Sequence, residues 1–230
     1  MQSLSLRLST IASLVPFGAR VCDIGTDHGF LSIYLKQSDK TRNIIAADIN
    51  LLPLENARKN IEQAGISGID LRLSDGLSAI QKEETDTVII AGIGGEVISG
   101  IIERGAHICK EGGVTLILQP TTSPEFLRRF LITNGYKIIR EIPIEENGKV
   151  YSVMLVKYQG IMTEKDDIYY YIGEVPTDNP IGISYIKKRQ KRFSDCAMQL
   201  EKVERKQEEY IYYKKLLEDI NGILGEDNGI

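Results

Sequence analysis

The sequence predicts an α/β fold: an open sheet with helices on both faces, finished by a hairpin and followed by a helical arm. Three observations predict it. Up to about residue 158, short β-branched apolar runs alternate with apolar positions at helical spacing. That alternation ends in two strand patterns joined by Glu145-Glu146-Asn147-Gly148, a hairpin signal. Beyond Gly160 strand patterns stop, and charge-rich helical spacing takes over. Repeated strand–helix units imply a mainly parallel sheet, because each crossover helix returns the chain to the same end of the sheet.

The strand patterns are Arg20 to Ile24, Ile44 to Ala47, Ile69 to Leu73, Val88 to Ala91 and Val114 to Leu118. Continuous apolar runs of this kind suit strands covered on both faces. Between them, Leu54, Ala57, Ile61 and Ala64 recur at helical spacing, as do Val97, Ile98, Ile101 and Ile102, then Phe126, Leu127, Phe130 and Leu131. Gly65 and Gly135 stand where C-terminal caps belong, and Ser123-Pro124-Glu125 reads as a helix start. The hairpin pairs Tyr136 to Ile144 with Val150 to Tyr158.

With 230 residues the chain exceeds one average domain, and the expected division is 1–160 for a nucleotide-binding domain and 161–230 for the arm. In the arm, Ile186, Phe193, Leu200 and Val203, then Tyr210, Leu217 and Leu224, fall near heptad spacing. Arg189, Gln207 and Lys214 interrupt the seam, so antiparallel, coiled-coil-like helices are expected rather than a long parallel dimer. The formal net charge of -4 rules out global basicity as a polyanion signal, leaving local patches. Cys22, Cys109 and Cys196 are scattered without a C-x-x-C pair, which suits free thiols in a reducing compartment. Met1 to Phe17 is mildly apolar, but Arg7 and several serines break the run. No stretch approaches the roughly 18 apolar residues of a membrane span. A cytoplasmic monomer with no membrane or metal partner is the expectation.

Asp23-Ile24-Gly25-Thr26-Asp27-His28-Gly29 falls at the turn from the first strand into the first crossover helix. Ligands of open α/β sheets bind at such carboxyl ends. The G-x-G-x-x-G spacing of a dinucleotide site is absent. A carboxylate two residues before the first glycine would repel pyrophosphate, yet suits the ammonium of S-adenosyl-L-methionine. The segment matches the D-x-G-x-G-x-G loop of methyltransferases with Asp27 at the middle glycine, so Asp23, Gly25, Asp27, His28 and Gly29 are candidate cofactor residues. The alternative is a plain strand–helix turn. Asp48, about 20 residues on, is placed for ribose hydroxyls with Ile49 and Asn50 beside it; the alternative is a helix cap. Asp75 and Gly76 end the third strand, where an adenine amino group would sit; a simple Asp-Gly turn is the alternative. Ala91-Gly92-Ile93-Gly94-Gly95-Glu96 ends the fourth strand. Ala91 and Gly92 join the cofactor set, while Gly94 and Gly95 leave a rim a flat base could approach, or else mark tight helix packing. With the closing hairpin, this acidic series indicates a class I methyltransferase, a Rossmann-like seven-stranded sheet with a C-terminal antiparallel helical domain.

These residues carry a resemblance. The sequence resembles the bacterial TrmK family, methyltransferases of N1 of the adenine at tRNA position 22. The matching features are Arg7-Leu8, Val15-Pro16, the Asp23 to Gly29 loop, Gly92-Ile93-Gly94-Gly95 and Gln119-Pro120, and the match spans essentially the whole chain. Family members often carry Cys where this sequence has Ala91, which argues against an essential thiol there. The resemblance implies methyl transfer to an RNA base, an in-line displacement accelerated by positioning and electrostatics. Asp27 is the candidate catalytic residue, meeting the N6 amine or the charge developing on the base; binding cofactor alone is the competing role. His28 is a candidate to stack on base or cofactor.

Adenine N1 lies on the Watson–Crick edge, so the base must be unstacked and the surrounding tRNA gripped. Lys187, Lys188, Arg189, Lys191 and Arg192 form the strongest basic cluster, and with Arg7, Gly94 and Gly95 they are the candidate RNA contacts. Residues 160–230 hold 11 Lys/Arg against 14 Asp/Glu, so the patch is local, and a solvated helix face is the alternative. Arg128-Arg129 reads as a second patch. Other classes stay open at this stage: a methyltransferase for another RNA, a small molecule or a protein, an NAD enzyme, or a non-catalytic binding module.

Overall fold

The computed structural model describes residues 4–111 and 113–225. The outermost residues of both expected domain spans, 1–3 and 226–230, lie outside that range. Five strands run parallel: β1 (Ala19–Ile24), β2 (Thr41–Asp48), β3 (Ile69–Leu73), β4 (Thr87–Ile93) and β5 (Thr115–Pro120). The hairpin supplies β6 (Tyr136–Glu146) and β7 (Lys149–Tyr158), and β7 inserts antiparallel beside β5. The sheet order is β3-β2-β1-β4-β5-β7-β6. Its reversal between β1 and β4 sets the crevice at their carboxyl ends. At the hairpin turn only Asn147 and Gly148 are unpaired, at φ +53° and +69°, the geometry of a type I′ turn, so the strands extend closer together than the sequence pattern suggests.

Alternation along the central strands sends side chains to two cores. Val88, Ile90, Leu116 and Leu118 face one, with α4 (Gly95–Arg104), α5 (Ala106–Cys109) and α6 (Pro124–Thr133) over them. Val21, Ile89, Ile117 and Val153 face the other, covered by α1 (Leu6–Leu14) and α2 (Phe30–Gln37). Each fully buried side chain of this size contributes roughly 1.5–3 kcal/mol. The helix α3 (Leu51–Gln63) buries Leu54, Ala57 and Ile61, as its spacing predicts. β3, at one edge of the sheet, departs from the two-sided burial its sequence suggests: Asp70 and Leu73 are exposed.

The arm comprises α7 (Asp167–Ile172), α8 (Pro180–Leu200) and α9 (Gln207–Leu224). Asn179 is the N-cap of α8, its Oδ1 accepting from the Gly182 amide at 2.8 Å. The two long helices pack on each other as the interrupted heptads predict, but the seam is shifted. Ile186, Phe193, Leu216 and Ile220 are its buried residues, while Val203 is exposed.

The arm is anchored by one buried ion pair. Arg128 Nη2 donates to Glu141 Oε1 at 2.6 Å and to Tyr185 Oη at 2.7 Å, and Nη1 donates to the carbonyls of Tyr170 and Tyr171. Both charged side chains have zero exposure. Arg129 pairs with Asp167 and lies over the Tyr170 ring at 4.1 Å. The Arg128-Arg129 patch is therefore corrected: one arginine is a core residue, the other a surface partner of α7. Among the described residues no helix is long and apolar enough to cross a membrane, and no group of three His, Cys, Asp or Glu side chains is placed to hold a metal ion.

Candidate active site

A cleft of about 470 Å³ opens at the carboxyl ends of β1, β2 and β4. It brings together Asp23, Gly25, Asp27, His28, Asp48, Asn50, Ala91 and Gly92, with Arg7 closing one side. Such a volume lies within the ordinary range for small-molecule sites, about 300–1,000 Å³.

Asp23 anchors the first loop. Its Oδ2 accepts from Thr26 Oγ1 and Ser32 Oγ, both at 3.0 Å, and the residue is 5% exposed. Burial pushes its pKa above the usual carboxylate value, and the two hydroxyls oppose that shift without cancelling it. A desolvated carboxylate of this kind favours a cationic neighbour. Sequence reasoning missed Thr26 and Ser32; their signal was a hydroxyl three and nine residues after the acid. Gly25 stands at φ +78° with open space where a Cβ would project, so its backbone is bare toward the cleft.

Asp27 occupies the middle-glycine position at φ +43°. An L residue in this left-handed region is strained, with Asp among the tolerated types. Its side chain is 65% exposed, with Oδ2 3.4 Å from His28 Nε2. The His28 ring stacks on Phe30 at 5.3 Å, and Asn60 Nδ2 donates to the His28 carbonyl. Asp27 thus points a solvated carboxylate over the mouth of the cleft, whereas Asp23 is sealed beneath it.

Asp48 ends β2 and is 9% exposed. Its Oδ1 accepts from the Asn50 amide at 2.8 Å, which shapes the turn into α3 but is not a cap, since Asn50 is the N-cap and no side chain caps the helix; the residue also lines the cleft. Ile49 is exposed beside it. Asp75 lies outside this cleft, with its Oδ1 3.3 Å from Arg104 Nη2. A Cβ at Gly76 would meet Ile101 Cγ2 at 2.9 Å.

The β4 end departs from regular pairing. A register shift against β5 falls between Ala91 and Ile93, and Gly92 sits there at φ +81°. Its amide donates instead to Gln119 Oε1 at 3.2 Å, while Gln119 Nε2 donates to the Pro120 carbonyl. Bulges of this kind re-aim backbone beside active sites. Open space surrounds the missing Gly92 Cβ. Gly95 is the opposite case: it is buried, and a Cβ would stand 2.3 Å from the Ser123 carbonyl oxygen. Packing of α4 against the 121–123 turn accounts for that glycine. A Cβ at Gly94 would also meet Thr122 Oγ1 at 3.0 Å, leaving Gly92 as the exposed rim glycine.

Arg7 comes from α1. Its Nε lies 3.7 Å from Glu146 Oε2 and its guanidinium sits 5.4 Å over the Tyr151 ring. Lys188, Arg189 and Arg192 lie on α8 along a neighbouring cleft, with Arg192 3.4 Å from Glu125 Oε1. Lys187 and Lys191 are exposed and do not line either cleft. Cys22 and Cys109 are buried away from the site, and burial pushes the Cys109 thiol up to about 12, leaving both inert.

The family model for a methyltransferase domain matches residues 4–154, spanning β1 to β6, the first half of β7 and the cleft. The chain belongs to that family. The methyltransferase is 39% identical over 155 residues to the tRNA (adenine(22)-N(1))-methyltransferase of Bacillus subtilis, which is 67% of this chain and 65% of that one. The match thus spans just under two thirds of the curated relative's length. The methyltransferase also superposes on the crystal structure of the B. subtilis m1A22 tRNA methyltransferase TrmK with TM-score 0.87, at 28% identity, covering 97% of this chain and 100% of that one. On M. capricolum TrmK, solved with S-adenosyl-homocysteine, the TM-score is 0.80 at 26% identity, covering 97% and 98%. The seven-stranded, Rossmann-like fold and its C-terminal helices are shared with both.

Proposed function

We propose that this protein transfers the methyl group of S-adenosyl-L-methionine to N1 of adenine 22 in tRNA. The carrying observation is the charge of the cleft. Three carboxylates, Asp23, Asp27 and Asp48, meet there with bare backbone at Gly25 and Gly92, and the single arginine is engaged by Glu146. A dinucleotide pyrophosphate would face those acids without a free cation, whereas an ammonium and a ribose diol suit them. The donor set therefore fits S-adenosyl-L-methionine, which supplies an electrophilic methyl group on a sulfonium centre. Relatives named as m1A22 tRNA methyltransferases, and a TrmK solved with the cofactor product, support the same reading.

In this reading Asp23 holds the loop and attracts the ammonium, while Asp48 and Asn50 take the ribose. Gly92 lets the target base approach the backbone closely. Asp27, exposed and positioned by His28, accepts from the base amino group and stabilises positive charge growing on the ring. No strong general base is needed, because adenine N1 is unprotonated at neutral pH. Asp75, exposed just beyond β3 and 3.3 Å from Arg104, would meet the adenine amino group. The arm, 161–230, grips tRNA phosphates through α8, and the protein works in the cytoplasm.

The test incubates the protein with isotopically labelled cofactor and unfractionated tRNA, followed by nucleoside mass analysis. The expected product is 1-methyladenosine, lost on a transcript with guanine at position 22. A folded protein that binds the cofactor yet labels no tRNA overturns the assignment.

A further inference from the structure

A second cleft, of about 690 Å³, lies between the β5–α6 turn, β7 and α8. Lys149, Lys188, Arg189 and Arg192 line it against one carboxylate, Glu125. Three buried polar atoms without a hydrogen-bond partner belong to residues on its walls: Ser152 Oγ, Arg189 Nε and Glu125 Oε2. Ser152 is only 2% exposed, so its hydroxyl is a built feature of the wall. Buried polar groups are rarely left unpaired, and two unpaired donors and an unpaired acceptor on residues lining one cavity point to a ligand offering both kinds of partner.

The chemistry narrows that ligand. Inorganic phosphate would satisfy Arg189 and Ser152 but be repelled by Glu125. A nucleoside phosphate meets all three, with its phosphate on the cations and a ribose hydroxyl or base amine on the carboxylate. Arg189 is held ready: its Nη2 donates to Tyr185 Oη at 3.1 Å and its guanidinium stacks over that ring at 4.9 Å. The cleft also adjoins the cofactor cleft. Tyr151 lines the second while Arg7, stacked on it, lines the first, and the Thr121 amide bonds the Ile93 carbonyl between their floors.

We propose that this cleft is a second nucleotide subsite, taking the phosphate and ribose of a nucleotide next to the target base in the RNA strand. The inference rests on the reading of the protein as an RNA methyltransferase, and it adds a pocket with its own recognition chemistry to a general electrostatic grip.

The test measures binding of labelled tRNA by fluorescence anisotropy, alongside cofactor affinity and thermal unfolding for each variant. Ser152→Ala, Arg189→Gln and Glu125→Gln are each expected to weaken tRNA binding about tenfold, the usual size of one charge-assisted hydrogen bond. Cofactor affinity stays within twofold, and Lys206→Gln, on a remote surface pair, leaves tRNA binding unchanged. Glu125→Gln discriminates: a plain basic surface would bind tRNA more tightly once the carboxylate is gone. Tighter binding by Glu125→Gln with no effect of Ser152→Ala overturns the proposal. Adenosine monophosphate is titrated in parallel. Weak binding that Ser152→Ala abolishes supports the subsite, and binding as tight as that of tRNA assigns it to a free nucleotide instead of the RNA strand. Wild-type methyl transfer is scored separately. Methylation with variant-insensitive tRNA binding sinks the subsite alone, while cleft-dependent binding without methylation sinks the reaction alone.

Discussion

The cofactor cleft and the arm junction hold charge in opposite ways. In the cleft, short acids at successive strand ends surround open space; Asp23 and Asp48 are buried, Asp23 braced by the Thr26 and Ser32 hydroxyls, while Asp27 is exposed. At the junction, Arg128 and Glu141 are both fully buried and bind each other, with carbonyls and Tyr185 completing the guanidinium's partners. The cleft keeps charge unneutralised for a ligand. The junction consumes its charge to fix one docking of the arm. Removing a group should therefore cost ligand affinity in the first region and stability in the second.

The largest expected effect is at the junction. Arg128→Met leaves Glu141 buried without its countercharge and should lower unfolding free energy by about 3–5 kcal/mol, read by denaturant titration. Adding Glu141→Leu should recover most of that loss. A single variant within 1 kcal/mol of the parent would show that the pair does not hold the arm. Next is Asp23→Ala, which removes two hydrogen-bond acceptances and the buried charge. Calorimetry should show cofactor affinity falling at least roughly 100-fold in a folded protein. Unchanged affinity would displace the site.

The pH dependence of Asp23 sharpens the same contrast. Its folded pKa is raised by burial, so the apo fold is favoured by the protonated form and loses that contribution as pH rises through the raised pKa. Cofactor binding, which needs the carboxylate, runs the other way and should weaken on acidification above the ordinary carboxylate range. Asp23→Asn should flatten the stability trend; a trend that persists would assign it to another group.

Smaller effects probe the glycines. Gly95→Ala must displace the Ser123 carbonyl and should cost about 1–3 kcal/mol in thermal unfolding. A neutral result would mean that the turn yields freely. Asp27→Gly relieves a left-handed aspartate, so stability should change by about 1 kcal/mol or less. Methyl transfer should fall while cofactor affinity holds. Retained rate would restrict Asp27 to a dispensable part of the loop.

Much of the first region was legible in the sequence because its parts are local. Strand runs, the Asp23 to Gly29 loop and the bulge glycine each occupy a few consecutive residues at a strand end. The second region was not. Arg128 and Arg129 are neighbours that read as one patch, yet successive helix residues point about 100° apart, and only packing on β6 and α7 decides which is buried. The arm's true seam, shifted to Leu216 and Ile220, depends in the same way on how α8 and α9 rotate against each other. Gln119 was visible, but its bond to the Gly92 amide requires the β4–β5 register.

By itself the sequence determined the alternating strands and helices, the closing hairpin and the acidic strand ends, because periodicity and turn chemistry act over short stretches of chain. Only the tertiary structure decided the partners of Arg128, the packing role of Gly95 and the gathering of Ser152, Arg189 and Glu125 around one cleft. Those groups are distant along the chain, and contacts between distant residues are set by the summed packing of whole elements.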